Sequence, residues 1–225
     1  MRCKLIALSI SVLAGSACNK STMFPPGLDP LDEVNKAPLP MGTADNPYPE
    51  VLSMVSGHSN GYDWVHARAY VDAAPAVTYL GIHTAKVSAD PTIDGPSFTY
   101  DVEPLYEYSY KIHYEPSPGV EFEVTWRHGV VDGTDDAPDL TASRFQKTWG
   151  TTYINLLQGS VLSHPVADAH DMPVADANGN PLPVTEIEII EHLDATAADT
   201  GTLETYFRNF FKDLLTFVHS QPSAS

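Results

Sequence analysis

The chain has 225 residues, of which 43% are hydrophobic, and a formal net charge of -17. That balance argues against nucleic acid, whose phosphates demand a basic footprint, and against lying flat on an anionic lipid surface. The two cysteines, Cys3 and Cys18, both fall near the N-terminus, so the domain must stand on its own core, which a chain of this length can build.

Arg2 and Lys4 open the chain, an apolar stretch follows from Leu5 to Leu13, and Ala14, Gly15, Ser16 and Ala17 lead to Cys18. This is the positive, apolar and small-residue order of a secretory signal. The apolar stretch is shorter than the roughly 20 residues that span a bilayer. The run Ala14-Gly15-Ser16-Ala17-Cys18 resembles a bacterial lipobox, with Gly15 where Leu is commoner. The resemblance implies a diacylglyceryl group on the Cys18 sulfur, cleavage just before Cys18, and a protein held at the membrane by its N-terminal lipid alone. Asn19 follows the cysteine, and resemblance to sorted lipoproteins implies a cell-envelope location, at the outer membrane facing the periplasm or at the cell surface. Loss of Arg2 and Lys4 with a leader of residues 1–17 makes the mature chain more acidic still.

Residues 18–54 are expected to be the lipidated cysteine and a tether. Prolines recur there from Pro25 to Pro49, and such segments favour extended polyproline II spacers. One domain then runs over 55–220, with 221–225 as a disordered tail.

Alternation of apolar and polar residues predicts strands over 64–72, 105–114, 120–130, 141–148, 151–163 and 184–195. In the second, Tyr106, Tyr108, Tyr110, Ile112 and Tyr114 share a face opposite Glu107, Ser109, Lys111 and His113. In the third, Phe122, Val124, Trp126, His128 and Val130 share one. In the last, Ile187, Ile189 and Leu193 alternate with Glu186, Glu188 and His192. Polar-out, apolar-in strands mark an antiparallel sheet with one wet face. Asn178-Gly179 predicts a hairpin turn, because both residues tolerate positive φ. Pro75 predicts the first turn of a helix running to Ile82. The spacing of Leu203, Tyr206, Phe207, Phe210, Phe211, Leu214, Phe217 and Val218 predicts a long amphipathic C-terminal helix, capped by Thr200 or Thr202.

A one-sided sheet and an amphipathic helix each need a partner, which predicts an α+β fold with the sheet wrapped around the helix. The run His66-Ala67-Arg68-Ala69-Tyr70-Val71-Asp72-Ala73-Ala74-Pro75-Ala76-Val77, together with the closing strand and aromatic-rich helix from Val184 to His219, resembles the START-like, polyketide cyclase-like (SRPBCC) superfamily. The resemblance implies a helix-grip fold: a curved antiparallel sheet around a long C-terminal helix, with an apolar ligand between them. A lipocalin-like eight-stranded barrel is the rival architecture.

The candidate cavity-lining residues are Tyr106, Tyr108, Tyr110, Tyr114, Trp126, His128, Phe207 and Phe210. Aromatic side chains with polar tips can enclose an apolar small molecule or lipid and orient its polar end; the plainer alternative is that they fill a core. His128 with Arg144 is a conceivable acid–base pair for a cyclase-like or hydrolase-like enzyme. No cofactor and no metal are expected. His58 and His66 around Asp63, and His164 near His170 and Asp171, lack the spacing of known zinc sites. Asp176, Asn178 and Asn180 lack the glycine of a calcium loop, since Pro181 holds its place. Three functions remain: a lipid-anchored binder of an apolar ligand, an envelope enzyme on the same fold, or a protein-contact module with a filled core.

Overall fold

A computed structural model describes residues 23–168, 172–176, 178–196 and 198–222. The leader, Cys18, His170 and Asp171 lie outside the described residues. The elements follow in the order β1 (Ser53–Ser59), β2 (Tyr62–Val71), α1 (Pro75–Ile82), α2 (Ala85–Ser88), β3 (Ser97–Tyr100), β4 (Tyr108–Ser117), β5 (Val120–Thr134), β6 (Ala137–Gly150), β7 (Ile154–Pro165), β8 (Thr185–Ala195) and α3 (Thr200–His219).

The fold is α+β. The eight strands form one antiparallel sheet in the order β1-β2-β8-β7-β6-β5-β4-β3, so β1 and β3 are its edges and it is not a closed barrel. The six expected strands are all present. The two additions are the edge strands β1 and β3, which are half exposed and short of alternating apolar residues. Asn178-Gly179 does form a turn: Gly179 has φ +84° and an isolated bridge pairs Ala175 with Pro181.

The inner face of β2 carries Val65, Ala67, Ala69 and Val71, all fully buried. Helix α3 turns Leu203, Phe207, Phe210, Phe211, Leu214 and Val218 into the same core. Full burial of one such side chain stabilises by about 1.5–3 kcal/mol, so this row anchors the helix. Its cap is Asp199, not Thr200 or Thr202 alone. The Asp199 carboxylate accepts the Thr202 N–H at 3.1 Å, and Thr202 Oγ1 answers at the Asp199 N–H, a reciprocal capping arrangement. Helices α1 and α3 cross closely at Gly81, where a Cβ would lie 2.5 Å from Leu214 Cδ1.

The expected free-standing tether is not what residues 23–50 form. They lie along the outer face of the sheet. Leu28 and Ala37 are each only 1% exposed. The Leu31 N–H donates to Ser160 Oγ at 3.1 Å, and the Ala37 N–H donates to His66 Nδ1 at 2.9 Å. Lys36 and His66 Nε2 both reach Glu188 Oε1 at 3.0 Å, and Tyr48 packs edge-on against Tyr70. The reason is in the sheet. Trp64, His66, Tyr70 and Ile190 point outward and are almost fully buried, so this stretch of the outer face is not wet and needs a cover.

Candidate functional site: a cavity with one buried acid

A single cross-strand row on the inner face builds the site. Tyr110 lies opposite Trp126, Trp126 opposite Phe145, Phe145 opposite Gly159, Gly159 opposite Glu191, and Glu191 opposite Val65. Trp126 and Phe145 stack with centroids 4.3 Å apart. Gly159 makes this row possible: a Cβ there would meet Phe145 Cζ at 1.9 Å. The glycine lets the Phe145 ring lean over its neighbour, and Glu191 comes next in the row.

Toward the β4–β5 turn this face opens into a cavity of about 460 Å³, inside the roughly 300–1,000 Å³ range of small-molecule sites. Its walls are Tyr114, Phe122, Val124, Trp126, Phe145, Leu157 and Leu193 from the sheet, Leu203 and Tyr206 from α3, and Ser88, Asp90 and Ile93 from the segment after α1. Pro116, Ser117 and Tyr153 lie at its exposed end.

Glu191 is the polar exception in this wall. It is 3% exposed, and its Oε2 has no hydrogen-bond partner among the described residues. Burial pushes its carboxyl well above the usual carboxylate range, and the nearby Asp90 charge adds to the rise. Asp90 itself accepts the Thr92 N–H and hydroxyl through Oδ1, while its own N–H donates to Tyr114 Oη at 3.1 Å. Tyr206 donates its hydroxyl to the Ser88 carbonyl at 3.0 Å. Burial raises the phenols of Tyr114 and Tyr206 above the ordinary tyrosine value.

Of the expected lining residues, Tyr114 and Trp126 line this cavity. Tyr110, His128, Phe207 and Phe210 are buried on the same face or on α3 but pack beside it. Tyr108 stands at the far end of β4, stacked on His83 at 4.1 Å. Tyr106 precedes the strand. Its N–H closes a turn onto Glu103, and its hydroxyl donates to the Pro26 carbonyl at 2.5 Å on the outer side.

The pairing of His128 with Arg144 does not form. Register places Arg144 opposite Arg127 and His128 opposite Ser143, so the two point to opposite faces of the sheet. His128 Nδ1 meets Ser143 Oγ at 2.7 Å, and Arg144 Nη1 donates to the Gly159 carbonyl at 3.1 Å. Burial, with His83 nearby, pushes the His128 imidazole well below its ordinary value. Of the histidines near Asp63, His58 pairs with it directly at 3.1 Å, while His66 faces Glu188. Among the described residues no three His, Cys, Asp or Glu side chains converge on a point that could hold a metal ion.

Glu191, Phe145 and Gly159 were missed as site residues. The signal for Glu191 was available: it shares parity with Ile187, Ile189 and Leu193, and is the one acid on their face.

No family model and no curated protein matches this chain. Among solved structures, the chain is similar to an uncharacterized protein from Rhizobium leguminosarum, at 11% identity and a TM-score of 0.45 over 76% of this chain and 99% of that one. It is also similar to the lipid transfer and protein localization domain of human StarD13 (DLC2), at 11% identity and a TM-score of 0.47 over 76% of this chain and 85% of that one.

Proposed function

We propose that this protein is a lipid-anchored lipoprotein of the bacterial cell envelope whose helix-grip domain binds a hydrophobic small molecule or lipid in the cavity between the sheet and α3. The observation that carries the binding reading is the cavity itself: about 460 Å³ walled by aromatic and aliphatic side chains. Apolar space of this size, with few convergent polar groups, is the ordinary form of a small-molecule site. The anchoring half rests on the Ala14 to Cys18 run and the charged, apolar leader before it.

The test of binding uses the neutral solvatochromic dye Nile red and the purified protein. Wild type is expected to give saturable, blue-shifted emission. Val124→Phe, which adds volume to the cavity wall, is expected to abolish the emission while the folded circular dichroism spectrum persists. Emission that survives Val124→Phe unchanged would place the dye elsewhere and remove the support for this cavity.

A further inference from the structure

The cavity carries information about the polar end of its ligand, and this inference rests on the binding reading above. Its lining residues include two acids, Glu191 and Asp90, and no lysine, arginine or histidine. The two acids come from β8 and from the segment after α2, and they interact electrostatically. Glu191 is 3% exposed with an unpartnered Oε2. A buried acceptor without a donor is rare in folded proteins and calls for an explanation.

No hydrogen bond from the neighbouring phenols reaches Glu191 Oε2. The Tyr206 hydroxyl donates to the Ser88 carbonyl, and the Tyr114 oxygen accepts the Asp90 N–H. The inner face carries Lys147, opposite Val124, and His128, opposite Ser143, but Lys147 Nζ donates to the carbonyls of Thr151 and Ile154 at 2.9 and 2.6 Å and His128 Nδ1 meets Ser143 Oγ at 2.7 Å. Neither lines the cavity.

We propose that the cavity selects an apolar amine, with the hydrocarbon body against Trp126, Phe145 and Leu193 and the protonated nitrogen received by the Glu191 and Asp90 carboxyl groups. An ammonium supplies both what Glu191 lacks, a donor, and what two neighbouring acids require, an opposite charge. A neutral hydroxyl supplies only the donor. A carboxylate brings another acid beside Glu191 and Asp90 in a low-dielectric site, which is unfavourable. Binding is also a proton exchange. Burial raises the Glu191 carboxyl above its ordinary range, so an incoming ammonium favours its ionised form, and a proton released in that change passes to the buffer.

The experiment is calorimetric titration of the purified full chain at neutral pH with decylamine, decanol and decanoate, three ligands of one chain length and different heads. Decylamine is expected to bind roughly tenfold or more tighter than decanol, equivalent to about 1.4 kcal/mol, with decanoate weakest. Its apparent enthalpy should vary with the buffer's ionisation enthalpy, reporting proton release. Glu191→Gln, which preserves shape and removes the charge, should shrink the advantage of decylamine over decanol severalfold. Where that variant does not fold, Asp90→Asn reads the same preference. Equal or tighter binding of decanol or decanoate would overturn the proposal, as would an amine preference unchanged in the variant. Nile red binding without any amine preference sinks the amine proposal and leaves the apolar cavity standing; no binding of any of the four sinks both.

Discussion

Glu191 turns the chemistry of the cavity into a measurable stability slope. Its folded carboxyl titrates well above the unfolded glutamate value of 4.5, with burial as the main cause. Between those two values the folded chain holds a proton that the unfolded chain has released. Stability is therefore fully present below the unfolded value and falls as pH rises toward the folded one. The loss is about 1.4 kcal/mol for each pH unit inside that window. In Glu191→Gln the loss is absent, because the amide does not titrate. With a urea m-value of about 1–3 kcal/mol/M, each unit corresponds to a midpoint change of about 0.5–1.4 M. The assay is urea unfolding of both proteins at successive pH values. Comparing them cancels the general repulsion of a chain with net charge -17. The wild-type midpoint is expected to drop relative to the variant as pH rises above that value. Parallel profiles would mean that Glu191 ionises as in water, and the argument that burial raises its carboxyl would be wrong.

The cover on the outer face gives a second prediction. Leu28→Ala should cost about 2–5 kcal/mol and speed proteolytic cutting within 23–50, because Leu28 is buried over Gly129; a free spacer would give no change in either. Glu188 gives a pH effect of opposite sign. Its carboxyl is lowered to about 2, chiefly by the hydrogen bond from His66 and with help from Lys36, so its stabilising contribution is present above about pH 4.5 and is lost as pH falls toward 2. Glu188→Gln should flatten that acid limb, and an acid limb of unchanged steepness would refute the pairing. Phe207→Ala should cost about 3–5 kcal/mol in thermal or urea unfolding, since Phe207 is fully buried where α3 meets the sheet; a cost below about 1 kcal/mol would contradict that packing. Cys18→Ala should move the protein from the membrane fraction to the soluble one and abolish labelling by an alkyne palmitate analogue, and persistent labelling would place the acyl chain elsewhere.

The central strands were legible because apolar residues recur at two-residue spacing on their inner face, as in Ile187, Ile189 and Leu193, despite Glu191 among them. The edge strands were not, since an edge buries too little to impose a pattern: β3 has one half-buried position among its four. The cover over 23–50 was illegible for a different reason. Its proline content describes backbone stiffness, whereas its position follows from Leu28 and Ala37 meeting a sheet face that carries Trp64, Tyr70 and Ile190. Helix α1 was placed to the residue by Pro75 and Ile82.

The site was legible only in part, because lining a cavity depends on register across strands. Tyr110 and Trp126 look alike in sequence, yet Trp126 borders the cavity and Tyr110 does not. His128 and Arg144 lie on adjacent strands, and only the pairing of Arg127 with Arg144 reveals that they face apart. Gly159 gives no sequence signal of its own. Its role appears only beside Phe145.

The central claim is an occupied apolar cavity, and native mass spectrometry of the protein purified from bacterial membranes tests it most directly. The account predicts a reproducible added mass on the folded protein that disappears after organic extraction and is absent in Val124→Phe. A bare protein mass in wild type, together with no saturable Nile red binding by the folded protein, would contradict it and leave a filled core whose role is contact with other proteins.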